Sequence, residues 1–142
     1  MRIKVALAVL LLAGASALAA PQAPRAGHPL LGIWTLRLDD DACTEVYRFR
    51  GDGTSLVTSR HEVSESEFRV PAEPDARGFY ALDDVVTKNN GKEDCSGATI
   101  KVGASVRNYL RFHPSNDMFF MCVEASLDAC IGPFKRVRGA GA

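Results

Sequence analysis

The chain has 142 residues, 17 basic and 17 acidic side chains, and no formal net charge. That length suits one domain and not comfortably two. Balanced, interleaved charge argues against nucleic acid or an anionic membrane surface as the partner.

The first 19 residues read as an export signal. Arg2 and Lys4 give a positive start, and residues 5–12 form an apolar run too short to span a bilayer. Ala17 and Ala19 place small residues where signal peptidase cuts, so cleavage is expected after Ala19. No cysteine follows the apolar run, so no lipid anchor is expected. The remaining chain would carry 15 basic and 17 acidic residues. Residues 20–29, rich in Pro, Ala and Gly, read as a flexible lead-in outside the core.

From Leu30 onward the pattern is short alternating apolar runs separated by turn signals, which predicts strands. The first, residues 32–38, puts Trp34, Leu36 and Leu38 on one face and ends at Asp39, Asp40 and Asp41. Those three read as a solvated turn, because no alternating calcium-ligand spacing follows them. Residues 44–50 place Tyr47 and Phe49 opposite Arg48 and Arg50. The Gly51-Asp52-Gly53 hairpin signal leads into a third strand, residues 54–60. Arg50-Gly51-Asp52 spells an adhesion tripeptide, but the turn chemistry alone accounts for it.

A weaker strand, residues 65–70, joins Phe68 and Val70 on one face; Pro71 and Pro74 then impose a loop. Residues 78–88 direct Tyr80, Leu82 and Val86 inward. Asp84 falls on that inward face, and a bulge near Asp83 and Asp84 is expected to turn both outward. Residues 105–113 direct Val106, Leu110 and Phe112 inward, with Asn108 either in a hydrogen-bonded core or at a binding mouth. Residues 118–123 are apolar on both faces: Phe119, Met121 and Val123 oppose Met118, Phe120 and Cys122. One set should face outward beside Tyr109, either as a partner surface or beneath a covering segment. The last strand, residues 130–138, carries Pro133, which signals an edge or a bulge. Residues 139–142 read as a disordered tail.

The fold class is therefore all-β: an eight-stranded antiparallel meander, which removes its exposed edges by closing into a barrel. Cys43, Cys95, Cys122 and Cys130 read as two structural disulfides in an oxidising compartment. In a meander all four lie toward the same end. Cys122–Cys130 with Cys43–Cys95 is preferred, and Cys95–Cys122 with Cys43–Cys130 also fits.

Gly32-Ile33-Trp34 in the first strand resembles the opening Gly-x-Trp of lipocalins and related calycin barrels. The resemblance implies a small bacterial lipocalin-like barrel over residues 30–138. It also implies that Trp34 closes one barrel end beneath a basic side chain of the final strand, with Arg136 and Arg138 the matching candidates. The expected inward set of Trp34, Tyr47, Phe49, Phe68, Tyr80, Phe112 and Phe120 is bulky, which favours a packed interior over a cavity.

No nucleophile elbow occurs, and His28, His61 and His113 sit apart in loops or at strand ends, so neither catalysis, a metal nor a cofactor is expected. The functional reading is a periplasmic or secreted binding protein for a small apolar molecule or an exported protein, using Tyr47, Tyr80, Asn108 and the open barrel end. The alternative is an enzyme inhibitor or immunity-type protein acting through residues 20–29 or the barrel-end loops. Periplasmic metalloprotease inhibitors are similar in being small Gly-x-Trp barrels.

Overall fold

A computed structural model describes residues 22–38 and 43–139. The export signal of residues 1–19, the Asp39–Asp41 turn and the tail beyond Gly139 lie outside the described residues.

Eight strands run in order: β1 (Gly32–Arg37), β2 (Thr44–Phe49), β3 (Thr54–Ser59), β4 (Glu62–Arg69), β5 (Phe79–Asn89), β6 (Ser105–Phe112), β7 (Met118–Cys122) and β8 (Cys130–Arg136). Each pairs antiparallel with its sequence neighbour, and β8 returns to β1 through Trp34↔Arg136 and Thr35↔Lys135, closing the barrel. The disulfides are Cys43–Cys95 and Cys122–Cys130. No helix among the described residues is long and apolar enough to cross a membrane.

The core occupies one half of the barrel. Trp34, Leu30, Leu110, Phe119 and Phe134 are wholly buried there, with Phe68, Leu36 and Phe49 nearly so. Their rings meet edge-on or stacked: Trp34 lies 4.7 Å from Phe119, Phe119 stacks on Phe134 at 4.5 Å, and Phe49 meets Phe68 at 5.2 Å. Such contacts add about 0.5–1.5 kcal/mol per pair beyond simple burial.

Three local departures from the apolar pattern shape the other half. First, β4 starts at Glu62, earlier than its sequence suggests. The β3–β4 turn is only Arg60 and His61, with Arg60 in the left-handed region (φ 52°). Second, the bulge expected near Asp83 and Asp84 falls instead at Thr87, between the pairs Glu65↔Lys88 and Ser66↔Val86. Asp84 therefore keeps its place opposite Phe68 and faces the interior, while Asp83 faces out and binds Arg107 at 2.6 Å.

Third, Phe120 points outward and is 42% exposed, contrary to its expected place inside. The register between β7 and β8 slips between Phe119 and Met121, so that Gly132 and Pro133 oppose the single Phe120. Phe120 lies so close over Gly132 that a Cβ there would meet its ring at 2.9 Å. Pro133 sits in this bulge, where its missing N–H costs the ladder nothing. Phe119 and Met121 both pack on the core side.

Candidate functional site

The two barrel ends are built differently. At one end the chain entering β1 forms a plug. The Trp34 indole N–H donates to the Leu30 carbonyl at 2.8 Å. The Arg136 guanidinium lies 4.2 Å from the Trp34 ring centroid and donates to the carbonyls of Leu31, Pro29 and Asn116. Arg138, the second candidate for this role, turns away to Asp117 at 2.5 Å.

The plug includes residues expected to lie outside the core. His28 is 2% exposed, its Nδ1 accepts from the Leu30 N–H at 3.1 Å, and its ring packs 4.9 Å from Tyr80. An Nδ1 that accepts must be bare, so the proton sits on Nε2 and is donated to the Pro71 carbonyl at 3.1 Å. Burial, the largest influence, holds this imidazole below its ordinary pKa.

At the opposite end the interior is hollow. A cavity of about 190 Å3 reaches into the barrel, and its walls come from β2 to β7 and the β5–β6 connection. Tyr47 and Asn108, two of the expected ligand-binding residues, meet here; Tyr80 belongs to the plug at the other end and does not. A cavity near 150 Å3 already admits a molecule of benzene's size. The expectation of a packed interior therefore holds for one half of the barrel only.

The lining combines an aliphatic wall of Val57, Leu82, Val86 and Met121 with a dense acidic and hydroxyl face. Glu45 accepts from the Tyr47 hydroxyl and from Ser59, each at 2.6 Å. Glu62 accepts from the Asn89 carboxamide at 2.7 Å and also bonds Ser64. Asp84 bonds Ser66 and Ser55. Asp94 reaches the cavity from the β5–β6 connection, and among the described residues no Lys, Arg or His lines it.

Burial of negative charge without a counter-charge leaves its mark on these groups. Desolvation, followed in strength by hydrogen bonds from Ser66 and Ser55 that oppose it, raises the Asp84 carboxyl above the ordinary range. Glu62 is raised too, first by burial and then by the nearby charges of Asp94 and Glu45, against the Asn89 hydrogen bond. It has 2% of its surface exposed yet looks onto open space, so its desolvation is partial. Burial and then Glu45 also push the Tyr47 phenol far up, so Tyr47 remains a donor at any ordinary pH.

Among the described residues no three acidic, cysteine or histidine side chains converge tightly enough to hold a metal ion. The carboxyls are spread over β2, β4 and β5, and a spread acceptor set suits an extended organic cation better than a point charge. Larger hollows exist outside the barrel. One of about 420 Å3 between residues 22–25 and β4–β6 carries Arg25, Arg69 and Arg107, but Arg107 is paired with Asp83 and Arg25 with Glu73.

Sequence reasoning missed Glu45, Glu62 and the serines. The signal was present as small polar residues at alternate positions, Ser55 and Ser59 on β3 and Ser64 and Ser66 on β4. Alternating polar residues ordinarily mark the solvent face of a strand. No protein-family model, curated protein or solved structure matches this chain.

Proposed function

We propose that this protein is a non-enzymatic, exported, lipocalin-like binding barrel that holds a small amphipathic amine in its interior cavity. The observation that carries the reading is a cavity lined by inward carboxyls on three strands with, among the described residues, no basic side chain in its walls. A protonated amine supplies the missing counter-charge and donates to carboxylate lone pairs that the serines leave unused. Val57, Leu82, Val86 and Met121 give the apolar body of such a ligand its contact. Export, to the periplasm or beyond, is supported by the leader pattern of residues 1–19 and by the two disulfides.

The inhibitor reading draws less support, because His28 and Leu30 are already used in plugging the barrel. The test is a titration at neutral pH with n-butylammonium chloride and with n-butanol, followed through the Asn108 side-chain amide resonance. The amine should perturb Asn108 and bind at least about ten-fold more tightly, since each 1.4 kcal/mol of charge-assisted contact is one decade. Equal binding of the two, or a preference for the alcohol, would overturn the amine reading. Asp84→Asn should weaken the amine and leave the alcohol unchanged.

A further inference from the structure

We propose that the β5–β6 connection, residues 90–104, is a lid over the cavity, latched by the Cys43–Cys95 disulfide. The inference rests on the cavity being a binding site. It is carried by how this segment is attached.

The roots of the lid are fixed to the barrel by backbone hydrogen bonds, Asn90 N–H to the Val63 carbonyl and Gly103 N–H to the Val86 carbonyl. Gly91 (φ 72°) follows the first root and Gly103 (φ 89°) is the second, both in backbone conformations that other residues rarely take and with open space where a side chain would stand. Between them, Asp94 and Ile100 project into the cavity wall.

The tip moves as one piece, because it is bonded to itself. The Asp94 carboxylate accepts from the Ser96 and Ala98 backbone N–H groups and the Ser96 hydroxyl, and Asp94 N–H donates to the Ala98 carbonyl. A rigid tip between two glycine pivots is the form a hinged lid takes.

Among the described residues, little holds this tip down beyond the Asn90 carboxamide, which donates to the His61 carbonyl at 2.9 Å near one root. His61 N–H donates to the Glu93 carbonyl at 3.3 Å, and Cys95 N–H donates to the Ser59 hydroxyl at 2.9 Å. The remaining tie is covalent: Cys95, 5% exposed, is bonded to Cys43 at the start of β2. Ser59 in turn donates to Glu45, so the latch point and the acidic face share one hydrogen-bonded chain. The second disulfide lies elsewhere. Cys122–Cys130 ties the ends of neighbouring strands β7 and β8, and neither cysteine lines the cavity.

Met121 lines the cavity and Met118 does not, which gives a readout needing no ligand. Full-length mature protein and its C43S/C95S variant would be exposed to dilute hydrogen peroxide, with sulfoxide at each methionine followed by mass spectrometry. Unlatching should speed Met121 oxidation about ten-fold, as a local opening does, while Met118 keeps its rate. Equal Met121 rates in the two folded proteins would overturn the lid. Should C43S/C95S fail to fold, Ile100→Ala keeps the bridge and removes the side chain that reaches the cavity. A Met121 rate unchanged in that variant would overturn the lid equally.

Adding n-butylammonium separates the two readings. Protection of Met121 by the amine supports the site. A latch-dependent Met121 rate that the amine leaves unaltered retains the lid and removes the amine site.

Discussion

The Arg136 guanidinium lies 4.2 Å above the Trp34 ring, and the two residues are also direct partners across the β1–β8 seam. One side chain thus joins three things: the indole face, the strand pair that closes the barrel, and the carbonyls of Pro29, Leu31 and Asn116. Burial depresses the Arg136 pKa from its ordinary value without discharging a guanidinium. Arg136→Ala removes the cation–π contact and orphans those carbonyls, an expected loss of about 2–4 kcal/mol in urea unfolding. Arg138→Ala, which removes only an exposed pair with Asp117, should cost under about 1 kcal/mol. Equal losses would show that the seam does not depend on the Trp34 contact.

His28 should make stability pH-dependent. Its folded pKa lies below the ordinary 6.5, so the unfolded chain binds the extra proton first. The contribution is fully present above 6.5 and is lost as pH falls from there through the depressed folded value. Protonation puts a hydrogen on Nδ1, where the Leu30 N–H now donates, so that bond is lost while the Nε2–H bond to the Pro71 carbonyl remains. Chemical unfolding between pH 7.5 and 5 should show this fall in the native chain, and His28→Gln should flatten it. An unchanged slope in His28→Gln would place the titration elsewhere.

The part of the fold that was legible is the part built on apolar alternation. Trp34 and Leu36 on β1, Phe49 on β2 and Leu82 on β5 all face the core that their spacing implies. The candidate site was hidden by the same rule. Glu62, Ser64 and Ser66 occupy the inward face of β4, while Val63 points out and is 43% exposed, so the pattern of that strand reads inside out. Asp84 was visible as an inward carboxylate, but apolar logic prefers a bulge to a buried charge. Phe120 fails for a different reason: β7 is apolar on both faces, so alternation alone does not say whether Phe119 and Met121 or Phe120 turn inward.

The two disulfides should differ in their worth to stability. Cys43–Cys95 closes a span of 52 residues and Cys122–Cys130 one of 8. On chain entropy alone, removing the first costs about 4 kcal/mol and removing the second about 2.5 kcal/mol. Urea midpoints of C43S/C95S and C122S/C130S should therefore fall in that order. The reverse order would mean that the short bridge does more than restrain the unfolded chain, for instance by holding the β7–β8 register around the bulge.

Asp84 offers the sharpest separation of binding from stability. Its carboxyl is raised, chiefly by desolvation, so the folded protein holds that proton to a higher pH than the unfolded chain does. Stability is consequently lost as pH climbs from the ordinary carboxylate range through the raised folded value. Asp84→Asn removes the ionisation while keeping an oxygen that one of Ser55 and Ser66 can reach. The variant should melt at a higher temperature than the native chain near pH 7 and lose that advantage in acid, below the ordinary carboxylate range. Its affinity for n-butylammonium should move the other way and drop. A residue whose replacement raises stability while weakening a ligand is kept for the ligand. If Asp84→Asn instead melts lower at both pH values, the carboxylate serves the serine network and the barrel wall, not a bound cation.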